Sequence, residues 1–571
     1  MTRNGKRRIA YFSMEIGLHS DIPTYSGGLG VLAGDTVRSA ADLEIPLVGV
    51  TLCYNAGYFY QMIDPSGNQV EKEIRWEFAS ELEKSPAVIT LNVRGQTIHV
   101  GAWKYDVVGE TGHVVPILLL DTDVEQNTPE QRAYTHVLYD ATPHQRLVQE
   151  MILGVGGVKM LRTLGYNDIE TFHMNEGHAA LLTLELLREN KGDVDRTKQS
   201  CMFTTHTPVG AGHDVFPYEM AAPFMGDLAP EDKEFRQFGG KDALNMSMLA
   251  LNLSRYANAV ARKHGEVAAR MFPDHQIDSI TNGVHPSFWV CPPMQDLYDR
   301  SFPGWRHRPE LLKHAEEIND KALWKAHQQA KSALHDYAKS HSWVLLDKKL
   351  LTIGFARRIT GYKRPTLVFR DFHRLGKLCK GKVQFVFAGK THPRDHEGKN
   401  FIRRINEVSD HIWDQYRVRV VFLENYDMDL SHLMVSGVDI WLNNPLRYLE
   451  ASGTSGMKAT LNGVPNLSVL DGWWIEGYEM DPMSGWPLGP RPGEKGCEEN
   501  NDDVEAANIY KRLEREILPL YYDNRAGWIS RMKHAIGLGS YFNTHRMVKE
   551  YATRAWGLEE QPLWCSRRSG N

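Results

Sequence analysis

Short apolar runs rich in Val, Ile and Phe recur along this chain, each followed by a longer segment with helical periodicity. A strand that is apolar throughout needs cover on both faces, and the crossover helices of a parallel sheet supply it. The fold class is therefore α/β. In the first half, strands are expected at Ile9–Ser13, Leu47–Leu52, Val115–Leu120, Thr171–Met174 and Met202–Thr205, with helices near Leu29–Leu43, His144–Leu164 and Gly177–Glu189. Trp76 to His113 alternates in the manner of hairpins and reads as a β-rich insertion. The alternation restarts with strands at Leu351–Phe355, Val383–Ala388, Val418–Leu423, Asp439–Leu442 and Asn466–Val469. Between the halves, the turn formers of Ile280–Pro286 mark a hinge, followed by a charged helical stretch to about His341. The expectation is two Rossmann-like doubly wound domains, 1–285 and 286–544, facing across a cleft, with a helix over about 545–571 returning to the first. Gly485–Asp503 reads as a surface loop.

The chain of 571 residues exceeds the usual size of one core, which agrees with two domains. With 42% hydrophobic and 24% charged residues it is neither disordered nor fibrous. A net charge of −5 excludes a nucleic-acid protein as the default. Six scattered cysteines without a CxxC pair argue against a zinc site or disulfide framework, so no metal is expected and the cytoplasm is the expected compartment. The basic N-terminus (Arg3, Lys6, Arg7, Arg8) soon meets Glu15, too early for a signal-peptide core, and apolar runs such as Val114–Leu120 fall far short of the ~20 residues that span a bilayer.

Sheets of this type bind ligands beyond the carboxyl ends of their strands. Gly28-Leu-Gly-Val-Leu-Ala33 opens a helix with GxGxxA spacing, so the amides of Gly27 and Gly28 can face a phosphate; no acidic residue follows at the dinucleotide distance, and the other reading is glycines that only permit a turn. Arg357-Arg-Ile-Thr-Gly-Tyr-Lys-Arg364 gathers four cations directly after a strand, a device for a phosphate or phosphosugar; the other reading is a solvated basic loop. Glu450-Ala-Ser-Gly-Thr-Ser-Gly-Met-Lys458 runs from a loop into a helix, offering amides to an anion and placing Lys458 one turn inside. There the positive helix end and neighbouring cations favour the neutral amine that forms a Schiff base; the other reading is an ordinary solvated lysine. Glu176, His178 and His206 end predicted strands; they are acid–base groups or loop-fixing hydrogen-bond partners, and both readings stay open. Trp473 and Trp474 offer faces to sugar rings or pack in the core.

Together, Ser26-Gly-Gly-Leu-Gly, Gly57-Tyr-Phe-Tyr-Gln-Met-Ile-Asp, Thr205-His-Thr-Pro, Thr281-Asn-Gly-Val, Arg358-Ile-Thr-Gly-Tyr-Lys363 and Glu450–Lys458 resemble the α-glucan phosphorylase family of glycogen, starch and maltodextrin phosphorylases, in a short form. The resemblance implies a glycosyltransferase-B-like architecture, with a glucan-binding first domain and a second domain that binds phosphate and pyridoxal phosphate, the latter held covalently on Lys458. It implies that Arg358 and Lys363 hold the substrate phosphate, and that Arg357 and the amides near Thr454 and Ser455 hold the cofactor phosphate. Gly27 and Gly28 approach the phosphates. Glu450, Ser452 and Gly453 match positions that bind sugar hydroxyls, His206 and Asn282 match those that recognise the glucosyl 6-hydroxyl, and Glu176 and His178 line the site. Two positions depart from the longer enzymes: Gly456 stands where they have Asn, and Asp427 where they have Arg.

The implied reaction is reversible phosphorolysis of a terminal α-1,4 glucosyl unit to glucose 1-phosphate with retained configuration. The partners expected are an α-glucan and inorganic phosphate, with a homodimer and little phosphorylation or nucleotide control. The rival readings are a sugar-nucleotide glucosyltransferase of the glycogen synthase type, which shares the Arg–Lys clamp but needs no cofactor lysine, and a non-catalytic glucan-binding protein.

Overall fold

A computed structural model describes residues 6–139, 142–342, 344–497 and 499–558. Arg3, Cys565 and the end of the helix expected over 545–571 lie outside the described residues. The chain forms two compact units. One takes the chain up to Phe59, then Glu73–Thr281 and Thr544 onward; the other takes Tyr60–Lys72 and Asn282–Asn543.

The first unit is built on a ten-stranded sheet. Its parallel part runs in the order Asp278–Ser279, Tyr256–Ala259, Cys201–Thr204, Thr171–Asn175, Ile9–Ser13, Leu47–Leu52, Val114–Asp121. The strands Ile9–Ser13, Leu47–Leu52 and Thr171–Asn175 are buried throughout, as strands covered on both faces must be. The expected β-rich insertion is present: Gln96–Val108 pairs antiparallel with Val114–Asp121 and with Ile89–Val93. The two-residue turn between Val93 and Gln96 holds Arg94 and Gly95 at φ 53° and 76°, the left-handed pair that a tight hairpin requires. Chain order reverses between Ile9–Ser13 and Thr171–Asn175, so the segments after Ser13 and Asn175 leave the sheet at its switch point. The helix Thr544–Arg554 and the turn after it belong to this unit, where Met547, Val548, Tyr551 and Trp556 join the core and Asn258 donates to the Tyr551 hydroxyl at 3.0 Å.

The second unit carries a parallel sheet of six strands in the order Val420–Leu423, Val383–Ala388, Leu351–Ala356, Ile440–Asn443, Asn466–Val469, Gly485–Leu488. The last strand corrects the sequence reading of Gly485–Asp503 as a surface loop: Gly485–Leu488 is buried and pairs with Asn466–Val469, and Asp502 opens a helix. Its Pro487 is tolerated because the strand lies at the sheet edge, where one row of amides needs no partner. The switch point of this sheet lies between Leu351–Ala356 and Ile440–Asn443. The hairpin of Tyr60–Ile63 and Gln69–Lys72 is pinned beyond the carboxyl ends of two of these strands. Gln61 exchanges hydrogen bonds with Asn425 and donates to the Gly389 carbonyl at 2.8 Å, while Gln69 donates to the Thr391 carbonyl at 2.9 Å. Among the described residues no helix is long and apolar enough to cross a membrane.

Behind the second sheet, the long helix Asp320–Ser342 is fixed by a fully buried charge cluster. Lys331 Nζ lies 2.6 Å from Asp439 Oδ2 and donates to the Leu350 carbonyl at 2.7 Å; His327 Nε2 meets Asp439 Oδ1 at 2.9 Å. Burial pushes the Asp439 carboxyl up, but Lys331 and His327 outweigh it and hold it well below the ordinary aspartate value. This contribution to stability is present above the unfolded value of about 3.9 and fades as pH falls below it. Replacing Lys331→Met strands a buried carboxylate, so chemical denaturation at pH 7 is expected to show a loss of about 3–5 kcal/mol. The double variant Lys331→Met, Asp439→Leu should regain most of it; an unchanged midpoint in the single variant contradicts this account.

Candidate active site

In the second unit the site residues cluster at the switch point. Arg357 directly follows the strand Leu351–Ala356 and is nearly buried. One guanidinium nitrogen donates to Asn443 Oδ1 on the neighbouring strand, and another lies 2.9 Å from Glu450 Oε2. Lys363 Nζ, from the turn Gly361–Lys363, reaches the same carboxylate oxygen at 3.2 Å. Burial alone would raise the Glu450 carboxyl; Arg357 and then Lys363 pull it down more strongly, leaving it below the ordinary glutamate value. One carboxylate thus serves two cations and leaves a surplus positive charge in a buried place, a setting that favours an added anion. The next residue, Arg358, is exposed. Arg364, the fourth cation of the motif, is spent on structure: it pairs with Asp502 at 2.9 Å and with Glu505, and donates to the carbonyls of Asn444 and Pro445.

The segment after Glu450 is held by its backbone. Glu450 N donates to Asp471 Oδ2 at 2.9 Å, and Trp473 N donates to the Ser452 carbonyl at 3.0 Å. Burial pushes the Asp471 carboxyl up to about 8. Gly453 sits at φ 85°, in the left-handed region that admits glycine freely. Thr454 precedes the helix Ser455–Leu461, and Ser455 Oγ accepts from Trp441 Nε1 at 3.2 Å. Lys458 is buried, its ammonium 3.5 Å from the centroid of the Trp289 ring. Asn462, one turn on, donates to the Trp289 carbonyl at 2.8 Å and accepts from Cys291 N at 2.8 Å, so the indole is fixed to the same helix as the lysine. Asn282 is buried in the loop just ahead of the bridge between Val284 and Asn543. Trp473 and Trp474 are fully buried, which settles their two readings in favour of the core. Trp289, Asn443, Asp471 and Asn462 were not found from sequence; only Asn443 carried a signal, its place at the carboxyl end of a strand.

In the first unit a second set gathers beyond the switch point. Glu176, at φ 75°, accepts from Gly177 N at 3.0 Å, from His206 N at 2.7 Å and from the Thr207 hydroxyl at 2.9 Å. Its carboxylate is therefore a loop fixer. His206 Nε2 lies 2.6 Å from Asn175 Oδ1, while Asn175 Nδ2 donates to Ser13 Oγ at 3.0 Å. That places the imidazole proton on Nε2 and leaves Nδ1 as an acceptor. Burial, with His264 and His178, pushes His206 down to about 3, so the ring is neutral at pH 7. His178 is drawn elsewhere: its Nε2 lies 3.4 Å from Asp214 Oδ2, and burial and Arg146 push it down to about 4. Gly27 and Gly28 begin the helix Gly28–Asp42, and a Cβ built on either meets no atom within 4 Å, so the space beside them is open. The amides of Ser26 and Gly27 donate to Glu15 Oε2, whose other oxygen accepts from the Tyr139 hydroxyl at 2.8 Å.

Of the two residues that depart from the longer enzymes, Asp427 caps the helix Met428–Gly437 by accepting from Leu430 N at 2.9 Å. Burial raises its carboxyl, and burial likewise lowers the nearby Lys390 to about 8 against the pull of Asp427. At Gly456 an added Cβ would stand 2.5 Å from Asn466 Oδ1 and 3.0 Å from the Trp473 ring, so this chain has no room there for a side chain.

Several buried histidines of the first unit are held neutral. Burial pushes His173 down to about 3 and His264 to about 4, against about 6.5 in an unfolded chain. Below that value the unfolded state binds protons that the folded state does not, so stability falls with pH by up to about 1.4 kcal/mol per unit for each such group. Urea midpoints are expected to drop between pH 7 and 5, and the slope to lessen in His264→Asn. A pH-independent midpoint contradicts the neutral assignment.

Residues 215–480 match the family model described as carbohydrate phosphorylase. The chain is 39% identical to maltodextrin phosphorylase of Thermococcus litoralis, over 96% of this chain and 70% of that one. It is 37% identical to glycogen phosphorylase of Aquifex aeolicus, over 96% of this chain and 86% of the relative. Glycogen phosphorylase of Mycobacterium bovis is 36% identical over 95% and 70% of the two chains. Likeness of this degree across nearly the whole chain, on two doubly wound sheets with cations at a switch point, shows that the protein belongs to the carbohydrate phosphorylase family and is a glycosyltransferase.

Proposed function

We propose that the protein catalyses reversible phosphorolysis of the terminal α-1,4 glucosyl unit of an α-glucan, giving glucose 1-phosphate with retention, and that it uses pyridoxal phosphate held on Lys458. The observation that carries this reading is the buried pair of cations, Arg357 and Lys363, sharing Glu450 at the second sheet's switch point, in the same unit as the buried Lys458. The residues present suit the cofactor. Lys458 presents its ammonium to an apolar indole face, and Arg357 Nε, Thr360 Oγ1 and Ser452 Oγ are buried polar atoms without a protein partner. When bound, pyridoxal phosphate supplies through its phosphate group the acid–base partner of the substrate phosphate.

The roles of the chain's own residues are those the family resemblance implies, and their chemistry is compatible with them. Arg357 and the amides near Thr454 and Ser455 hold the cofactor phosphate. Arg358, exposed and long, and Lys363 hold the substrate phosphate, whose negative charge offsets the positive charge that develops at the sugar ring. Glu450, oriented by two cations, accepts from sugar hydroxyls together with Ser452 and Gly453. His206 offers the neutral Nδ1 as an acceptor to the 6-hydroxyl. Glu176 and His178 hold the loops around it, and Gly28 allows close approach of an anion to the backbone, the Gly27 amide being taken by Glu15. The unit that carries Lys458 thus supplies the groups for both phosphates and sugar hydroxyl ligands as well.

The test is incubation with maltodextrin and inorganic phosphate, with assay for glucose 1-phosphate. The purified protein is expected to be yellow, and borohydride to fix the chromophore onto the peptide containing Lys458; a colourless protein active with a sugar nucleotide instead favours a glycogen-synthase-type transferase. Arg358→Ala and Lys363→Ala should each slow phosphorolysis roughly 10²–10³-fold, the scale of losing one electrostatic stabiliser. Cofactor content should not change in either variant. Normal turnover in Arg358→Ala counts against the assignment.

A further inference from the structure

The segment Glu450–Gly453 has little regular structure of its own to hold it. It follows the loop after the strand Ile440–Asn443 and precedes the short helix Ser455–Leu461. Its shape is instead templated by the turn that follows the neighbouring strand Asn466–Val469. Asp471, buried, accepts from Glu450 N at 2.9 Å through Oδ2 and from Gly472 N at 2.8 Å through Oδ1. Gly472 takes φ 51°, and a Cβ there would lie 2.3 Å from the Ser452 carbonyl oxygen and 2.8 Å from that of Glu450. Trp473 N then donates to the same Ser452 carbonyl at 3.0 Å. Three consecutive residues therefore fix the backbone at both Glu450 and Ser452, and the second of them must be glycine both for its conformation and for the closeness of the two carbonyls.

From this geometry we infer that Asp471 and Gly472 are positioning residues for the sugar-hydroxyl ligands Glu450 and Ser452. This rests on the reading of Glu450–Gly453 as the sugar-binding segment. Cations set the Glu450 side chain, while Asp471 sets the backbone from which it projects; a shift of the latter moves the carboxylate without removing it. A displaced ligand weakens grip on the sugar and leaves Arg358, which makes no bond to Glu450, in place for the phosphate, while Lys363 keeps its charge. The effect of disturbing Asp471 is thus selective among substrates, which a merely structural role is not.

The experiment compares Asp471→Ala, Asp471→Asn, Gly472→Ala and Glu450→Gln in the holoenzyme, with KM measured separately for glucose 1-phosphate and for inorganic phosphate. Melting temperature and bound pyridoxal phosphate are followed in each. Asp471→Ala is expected to raise the KM for glucose 1-phosphate at least tenfold and that for phosphate less than threefold, with cofactor content unchanged. Asp471→Asn, which keeps an oxygen for Glu450 N, should recover most of the loss. Gly472→Ala should reproduce the Asp471→Ala pattern where it folds. Wild-type kinetics in Asp471→Ala, or equal rises in both KM values, overturn the inference. If Glu450→Gln is itself silent, the assignment of Glu450 to the sugar fails and the inference with it; an impaired Glu450→Gln beside a normal Asp471→Ala overturns the inference alone.

Discussion

A single carboxylate held between two buried cations organises the second unit. Glu450 lies within 2.9 Å of Arg357 and 3.2 Å of Lys363; the two cations come from the connection after the strand Leu351–Ala356 and the carboxylate from the loop after Ile440–Asn443, both at the carboxyl end of the parallel sheet. Removing the carboxylate would leave two uncompensated cations in a buried place, which costs several kcal/mol, about 3–5 by analogy with other broken buried pairs, whereas removing either cation leaves one balanced pair. The sheet makes the arrangement possible. Chain order reverses between Leu351–Ala356 and Ile440–Asn443, so the loops on either side diverge and leave polar groups facing the gap. The hydrogen bond from Arg357 to Asn443 spans that point, and Asn443 in turn donates to Ser468 on the next strand at 3.0 Å.

The two units reach a related end by different means. In the second, charge orients charge. In the first, one carboxylate is used up on backbone and hydroxyl donors: Glu176 fixes the start of the loop that carries His206, as Glu15 fixes the turn at Gly27. The imidazole that results is neutral and has one acceptor nitrogen aimed away from Asn175. Neutral hydrogen-bonding groups suit sugar hydroxyls, whereas the surplus cation of the second unit suits phosphate.

Most of the two sheets could be read from the chain because buried parallel strands are apolar from end to end. Strands such as Val383–Ala388 and Leu47–Leu52 announce themselves in this way. The strands that escaped are short or polar: Tyr256–Ala259, Asp278–Ser279, and Gly485–Leu488 with its glycine and proline. Nor does chain order reveal that Tyr60–Lys72 joins the second unit, because the bonds that place it come from Gln61 and Gln69, side chains that ordinarily mark a surface. At the site, the motif around Lys458 and the cations after Ala356 were legible because small residues and clustered charge are rare at strand ends. Trp289 was not, since nothing in a tryptophan 169 positions away says that it will cover a lysine. Arg364 shows the converse error, a charge that looks like a ligand for phosphate and is used to tie a helix down.

The departure at Gly456 follows from packing rather than from the chemistry of Lys458. Trp473 is fully buried against Trp474 and Phe542, with ring centroids 5.3 and 4.8 Å apart, and its indole reaches under the segment that leads to Lys458. A Cβ on residue 456 would lie 3.0 Å from a ring carbon of Trp473 and 3.1 Å from its nitrogen, while Asn466 closes the other side at 2.5 Å. Asparagine at 456 and tryptophan at 473 therefore compete for one volume. In this chain the tryptophan holds it, and its backbone amide also bonds the Ser452 carbonyl. The glycine is the condition under which a large buried aromatic can support the segment Glu450–Gly453, so that the core beneath the loop and the identity of the residue beside Met457 are a single constraint.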